Sequence, residues 1–305
     1  MTLRAPARPA LAPAATAWTG AAIMIGSEAA TLARIEPFFS WNTPIVWTGF
    51  ILFTDSVVFR ARGSSWIRSA PGEFVALAVW SIPLWLVFEL YNRRLANWYY
   101  IGLPKALPLR LFGYAWSFAT IWPAIFEAAE LVSVWRGAPG AGPSSEPDRA
   151  AGVSPRAAWP VDAAWITLGG ALLASPLLAP PDVARYLAAP VWLGFIALLD
   201  PVNRRLGGES LLDDWRRRRY DRTINLVAGG LLCGVLWEFW NYWAGAKWIY
   251  TVPILEQVKI FEMPLPGYLG FPAFALECFT MYVFVRLITA RAHGPRPFRG
   301  RPIGW

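Results

Sequence analysis

The chain has 305 residues, 56% of them hydrophobic and only 16% charged, where a soluble domain carries about 25% charged residues. Its net charge of +8 sits mostly in short loops between apolar blocks and in the tail, which excludes a nucleic-acid-binding face and fits the cytoplasmic loops of a membrane protein. The single His293, with Cys233 and Cys278 inside apolar blocks, excludes clustered-histidine metal chemistry and a disulfide framework, and no phosphate loop or dinucleotide fingerprint is present.

In chain order, apolar blocks fall at about 17–34, 42–59, 73–91, 111–135, 159–180, 187–203, 223–243 and 264–288. Most approach the roughly 20 residues a helix needs to cross a bilayer. The expected fold is therefore an all-α polytopic transmembrane bundle of about eight spans. The first block carries Glu28 and the sixth is short and ends in Asp200. The first has no clear cleavage site and reads as a retained span rather than a signal peptide. Nineteen Trp, with 18 Phe and 10 Tyr, suit a protein whose aromatics anchor at membrane interfaces.

Arg4 and Arg8, then Arg60, Arg62 and Arg68, then the loop Arg204 to Arg222 and the tail Arg291, Arg296, Arg299 and Arg301 fall on one side of an eight-span chain. Both termini are accordingly expected in the cytoplasm, in the inner (plasma) membrane. Arg93, Arg94, Lys105 and Arg110 dissent, because they face the other side. Residues 136–158 read as a flexible Pro/Gly/Ser linker between an N-terminal repeat, 1–135, and a C-terminal repeat, 159–290, followed by a basic tail, 291–305.

The halves match in order. Trp47, Gly49, Phe50, Ile51 and Asp55 parallel Trp192, Gly194, Phe195, Ile196 and Asp200, with Arg60 and Gly63 parallel to Arg205 and Gly208, at an offset of 145. Phe88-Glu89-Leu90-Tyr91-Asn92 then parallels Trp237-Glu238-Phe239-Trp240-Asn241, Trp98 and Tyr100 parallel Trp248 and Tyr250, and Glu127 parallels Glu277, at offsets of 149 to 150. Four spans per half would relate the repeats by a pseudo-two-fold axis along the membrane normal, with sites between them.

Glu89, Glu127, Glu238 and Glu277 are the candidate acid–base residues. A carboxylate at mid-membrane costs about 2.5–3.5 kcal/mol on insertion scales, so it needs a partner or a function. Asn92 and Asn241, three residues after a glutamate, share its helix face and are expected to hydrogen-bond the carboxyl. Asp55 and Asp200, near Arg60 and Arg205, read as interfacial salt bridges or helix caps. Trp85, Trp116, Trp122, Trp237, Trp240 and Trp243 lie in or beside the acidic blocks, where aromatic faces stabilise a cation by up to about 2 kcal/mol.

Trp98-Tyr99-Tyr100 leading to Glu127, and Trp248-Ile249-Tyr250 leading through Phe261-Glu262-Met263-Pro264 to Glu277, resemble the membrane-embedded lycopene cyclase domain of carotenoid cyclases. That family pairs a Trp/Tyr stretch with a proline-containing span bearing carboxylates; its adjacent acidic pair is replaced here by Leu265-Pro266-Gly267-Tyr268. The resemblance implies a duplicated helical unit acting on an isoprenoid, with Trp98, Tyr100, Trp248 and Tyr250 beside the substrate. Three functions remain open from the residues: intramembrane acid–base chemistry on an isoprenoid or lipid, a proton- or cation-coupled transporter, and a structural protein whose glutamates clasp helices. The expected partners are membrane lipid and a hydrophobic small molecule, with no cofactor and no metal.

Overall fold

The computed structural model describes residues 12–137, 159–292 and 300–304. The expected linker lies outside them apart from Arg136 and Gly137. Helices α1 (Ala12–Leu32), α2 (Phe38–Arg62), α3 (Trp66–Ser69) and α4 (Pro71–Leu95) lead to strand β1 (Trp98–Ile101), then α5 (Leu107–Ala119) and α6 (Ile121–Trp135). After the linker come α7 (Trp159–Leu178), α8 (Pro181–Ala184), α9 (Ala188–Arg205), α10 (Leu211–Arg216) and α11 (Asp221–Trp243). Strand β2 (Lys247–Tyr250), a small hairpin of β3 (Lys259–Ile260) and β4 (Met263–Pro264), a 3-10 turn (Leu265–Leu269) and α12 (Gly270–Ala292) complete the order.

Among the described residues, six segments are long and apolar enough to cross a membrane: α2, α4, α5 with α6, α7, α11, and the 3-10 turn with α12. The other two long helices, α1 and α9, stand where apolar blocks fall in the sequence. Glu28, Ser27 and several threonines dilute α1, and Asp200, Arg204 and Arg205 charge the end of α9. Each packs along a neighbour, α1 on α2 and α9 on α7.

Both hairpins close on glycine. A Cβ on Gly20 would stand 2.6 Å from the Gly49 carbonyl oxygen, and one on Gly169 would stand 2.8 Å from that of Gly194. Small residues at such crossings let helix backbones touch where lipid offers no hydrophobic drive to association. Glu28 of α1 is a clasp within its hairpin: the Asn42 amide donates to it at 3.0 Å while Ser27 donates to the Asn42 carbonyl at 2.8 Å.

The core sits around α6, where every residue from Ile121 to Ser133 is buried. Pro123 cannot donate to the turn behind it, and the helix breaks between α5 and α6 at Thr120. Ser81 of α4 repairs the break. Its hydroxyl donates to the Phe118 carbonyl and accepts from the Trp122 N–H. Trp122 in turn donates its indole N–H to the Cys278 carbonyl at 2.9 Å, joining α6 to α12.

One end of the bundle is charged. Asp55 accepts from the Ile67 N–H at 2.8 Å and pairs with Arg68, so it caps α3. Asp200 accepts from the Ser210 hydroxyl and from the N–H groups of Leu211 and Leu212, so it caps α10. The cap reading holds for both, but their expected neighbours do not. Residues five apart on a helix point to different sides, and Arg205 pairs with Asp162 of α7 instead, at 2.8 Å. Residues 301–304 return to this end: Arg301 pairs with Glu130 at 2.6 Å and Ile303 is fully buried.

Candidate functional site

At the other end, α4 and α11 each run out into a strand, and the two strands pair. β1 and β2 are antiparallel with Trp98 opposite Tyr250 and Tyr100 opposite Trp248. Cross-strand partners and alternate residues point to one face. Trp98, Tyr100, Trp248 and Tyr250 therefore form one aromatic quartet, while Tyr99 and Ile101 on the opposite face are exposed. Gly102 follows with φ +65°, and a Cβ there would lie 1.9 Å from the Gly245 carbonyl oxygen, so the turn beside the sheet requires glycine.

Beneath the quartet lies a cavity of about 150 Å³ whose walls come from α2, α4, α5, α6, α9, α11 and α12 as well as both strands. All four quartet residues line it, with Trp47, Trp85, Trp192, Trp237, Phe271 and Phe274. The aromatic faces meet across the halves: Trp85 and Trp237 lie 5.8 Å apart, and Trp85 and Phe274 meet edge to face at 5.8 Å. Such a wall is apolar and polarisable, with polar groups only where hydroxyls and indole N–H groups are aimed.

Those groups are aimed at two of the candidate glutamates. Glu89 Oε1 accepts from the Tyr100 hydroxyl at 2.5 Å, from the Trp85 indole at 2.9 Å and from the Trp98 indole at 3.2 Å. Glu238 Oε1 accepts from the Tyr250 hydroxyl at 2.8 Å, and the Trp248 indole donates to that hydroxyl at 2.9 Å. Each tyrosine thus stands between the cavity and a carboxyl group. Burial pushes the phenols of Tyr100 and Tyr250 well above their ordinary value, and the charge and hydrogen bond of the adjacent glutamate act in the same direction. Both stay O–H donors across the physiological range.

Asn92 and Asn241 belong to the same constellation in a different role. Each amide grips the strand rather than the glutamate: Asn92 donates to the Trp98 carbonyl at 2.8 Å and accepts from the Asn97 N–H, while Asn241 donates to the Trp248 carbonyl at 2.8 Å and accepts from its N–H. The chain doubles back just after each helix, which leaves peptide groups of the strand in need of partners. A side-chain amide on the last turn fills that need.

Glu127 and Glu277 stand apart from the cavity wall. Both are fully buried; the Glu127 carboxyl meets that of Asp55 at hydrogen-bonding range, whereas neither carboxyl oxygen of Glu277 has a partner among the described residues. Glu127 faces the charged end, within reach of Glu130, Asp55 and Arg301. Glu277 neighbours Tyr91 and Cys278. The four glutamates therefore do not converge on one cavity. Of the six tryptophans beside the acids, Trp85 and Trp237 reach the cavity; Trp116 donates to Thr48, Trp240 packs on Trp47, and Trp243 is 41% exposed.

Several cavity residues escaped the sequence reading as site residues, Trp47 and Trp192 among them. The signal that could have found these two is their setting in similar stretches of sequence, Trp47 before Gly49 and Phe50 and Trp192 before Gly194 and Phe195. Two of the four dissenting cations, Arg94 and Arg110, have local tasks. Arg94 donates to the Ala179 carbonyl at 2.7 Å, and Arg110 to the Pro104 and Lys105 carbonyls. No group of His, Cys, Asp and Glu suited to a metal ion occurs among the described residues. No family model, curated protein or solved structure matches the chain.

Proposed function

We propose that the chain is an internally duplicated, eight-span inner-membrane protein that binds an isoprenoid or other apolar lipid between its halves and performs acid–base chemistry on it. One observation carries this reading: two tyrosine hydroxyls, each bonded to an intramembrane glutamate, stand in the wall of a single aromatic cavity. A proton delivered to one carbon of an alkene leaves a cation on the next. Aromatic faces stabilise that cation, and a nearby oxygen base removes a neighbouring proton to complete the reaction.

Three pairs of matched contacts support the duplication. The Gly20–Gly49 and Gly169–Gly194 crossings, the Asp55 and Asp200 caps, and the Asn92 and Asn241 clamps occupy corresponding places. The pairing of β1 with β2 is itself symmetric, Trp on Tyr in both directions. The resemblance to the membrane-embedded lycopene cyclase domain accords with this substrate class. The basic charge gathered at the end holding Arg68, Arg222 and Arg301 supports cytoplasmic termini.

Incubation with acyclic polyisoprenoids in lipid nanodiscs equilibrated with D2O tests the chemistry. Protonation and loss of a neighbouring proton leave deuterium on carbon, detected by mass spectrometry of the extracted lipid. Wild-type protein should introduce deuterium, and the double variant Glu89→Gln/Glu238→Gln should not. If no isoprenoid or membrane lipid gains deuterium, the enzyme reading is wrong and the glutamates act as helix clasps.

A further inference from the structure

The two glutamate–tyrosine units are built from corresponding residues, yet their hydrogen bonds differ. Around Glu89 three donors converge on one oxygen, and the residue is only partly buried. Around Glu238 there is one donor to Oε1, while Oε2 is buried without a partner among the described residues, and the residue is fully sealed.

The cause is visible in the sequence once the units are superposed. Trp85, four residues before Glu89, supplies an indole N–H; the position four before Glu238 is Gly234. Phe271 fills the space, and a Cβ on Gly234 would lie 2.2 Å from its ring. The second indole has also been redirected. Trp98 donates to Glu89, whereas Trp248 donates to the Tyr250 oxygen. Hydrogen bonds to a carboxylate favour its charged form, and three on one oxygen suit an anion. One bond and a sealed, unpaired oxygen suit the neutral acid, because a buried charge without partners is expensive.

We infer that the halves have divided the work: Glu238 is the proton reservoir that acts through Tyr250, the group in contact with substrate, while Glu89 is a fixed anion that positions Tyr100, Trp98 and Trp85. This rests on the isoprenoid reading of the cavity and assigns its chemistry to one half. In the transfer, the protonated Glu238 Oε1 turns donor across its 2.8 Å contact with the Tyr250 oxygen, and the Tyr250 hydroxyl, so freed, gives its proton to an alkene carbon and takes the proton of Glu238. The alkene π bond supplies the electron pair for the new C–H bond, Tyr250 ends unchanged, and Glu238 ends as the carboxylate. The Trp248 N–H steadies the tyrosine oxygen as its proton leaves. Loss of a neighbouring C–H proton to Tyr250, passed on to Glu238, forms a shifted double bond and restores the start, so no oxidant or co-reactant is needed.

Infrared difference spectra in nanodiscs at neutral pH test the assignment without substrate. Glu238→Gln should remove a carboxylic-acid C=O band, and Glu89→Gln should remove carboxylate bands while leaving that C=O band in place. Tyr250→Phe, which keeps the ring and deletes only the hydroxyl, should shift the C=O band and abolish deuterium uptake, whereas Tyr100→Phe should leave the band where it is. It also covers the case in which Glu238→Gln fails to fold. A C=O band removed by Glu89→Gln, or a Tyr250→Phe protein whose acid bands match wild type, overturns the inference. If the bands respond as expected and wild type introduces no deuterium, the division of protonation stands and the substrate reading falls.

Discussion

Asp200 is 2% exposed and holds three donors from the start of α10. Replacing it with Ala leaves the buried Leu211 and half-buried Leu212 N–H groups without their acceptor. Each orphaned group costs about 1–3 kcal/mol, so Asp200→Ala should melt well below wild type in detergent, and Asp200→Asn, which retains one acceptor oxygen, should melt between them. Tryptophan-fluorescence melting curves would check the order. The acid itself was legible in the sequence, because it ends an apolar block. Its partners were not: the cap comes from residues ten to twelve positions away, whereas Arg205, five residues on, lies on a different side of the helix, and Arg204, four residues on, pairs with Asp162 and Asp213 instead. The phenols of Tyr100 and Tyr250 make a second prediction at this scale. Their folded values are raised, burial first and glutamate second, so the folded state holds these protons more tightly than the unfolded chain. Their contribution to stability is complete below the ordinary tyrosine value near 10 and declines as pH rises above it. Alkaline melting curves should show this decline, and Tyr100→Phe/Tyr250→Phe should reduce it.

Helices were the most legible elements, since each long helix falls on an apolar block and its ends follow prolines, glycines and charges. Their packing faces were less so, and two adjacent glycines show why. Gly169 and Gly170 look alike in sequence. A Cβ on Gly169 would lie 2.3 Å from the Leu198 nitrogen of α9, whereas one on Gly170 meets nothing within 4 Å. Gly169→Ala should therefore lower stability by about 1–3 kcal/mol, the range for overpacking a tight contact. Gly170→Ala should raise it by up to about 1 kcal/mol through helix propensity. Thermal melts of the two variants side by side give opposite shifts if α7 and α9 cross as described. The strands were read as aromatic stretches but not as β structure, because four residues of Trp and Tyr beside a membrane look the same in either state. What makes them strands is non-local. β1 finds β2 across the two halves, and an asparagine at the end of each preceding helix holds the strand's peptide groups. That pairing puts Glu89 and Glu238 on the tyrosines, whereas the sequence takes all four glutamates as acid–base candidates and leads the Trp/Tyr stretches on to Glu127 and Glu277. Glu127 and Glu277 sit on helices that pass the cavity at another height, and one-dimensional order does not encode height.

At the scale of the whole molecule, the sequence reads the C-terminus as a basic tail, and the structure makes part of it a clamp. Arg301 donates through Nε and Nη2 to Glu130 of α6 at 2.8 and 2.6 Å, and its backbone N–H donates to Glu73 of α4. The Arg301 carbonyl accepts from Arg286 of α12, the Ile303 carbonyl from Arg222 of α11, and the Gly304 carbonyl from Asn225 of α11. Arg301, Ile303 and Gly304 thus bridge helices on both sides of the linker. Glu130 is 1% exposed and Arg301 14% exposed, so the pair is largely shielded from solvent. Removing one partner of a buried pair leaves an uncompensated charge and costs about 3–5 kcal/mol, whereas replacing both with apolar residues is often close to neutral. Arg301→Gln should accordingly lower the melting temperature sharply, and Arg301→Leu/Glu130→Leu should recover most of the loss. Arg291→Gln makes the comparison fair: it removes the same charge from an exposed arginine near the end of α12, where surface substitutions stay within about 0.5 kcal/mol. Equal melting of Arg301→Gln and Arg291→Gln would mean that the tail only adds charge. A large gap closed by the double variant would show that the last residues hold the two halves, and hence the cavity between them, in register.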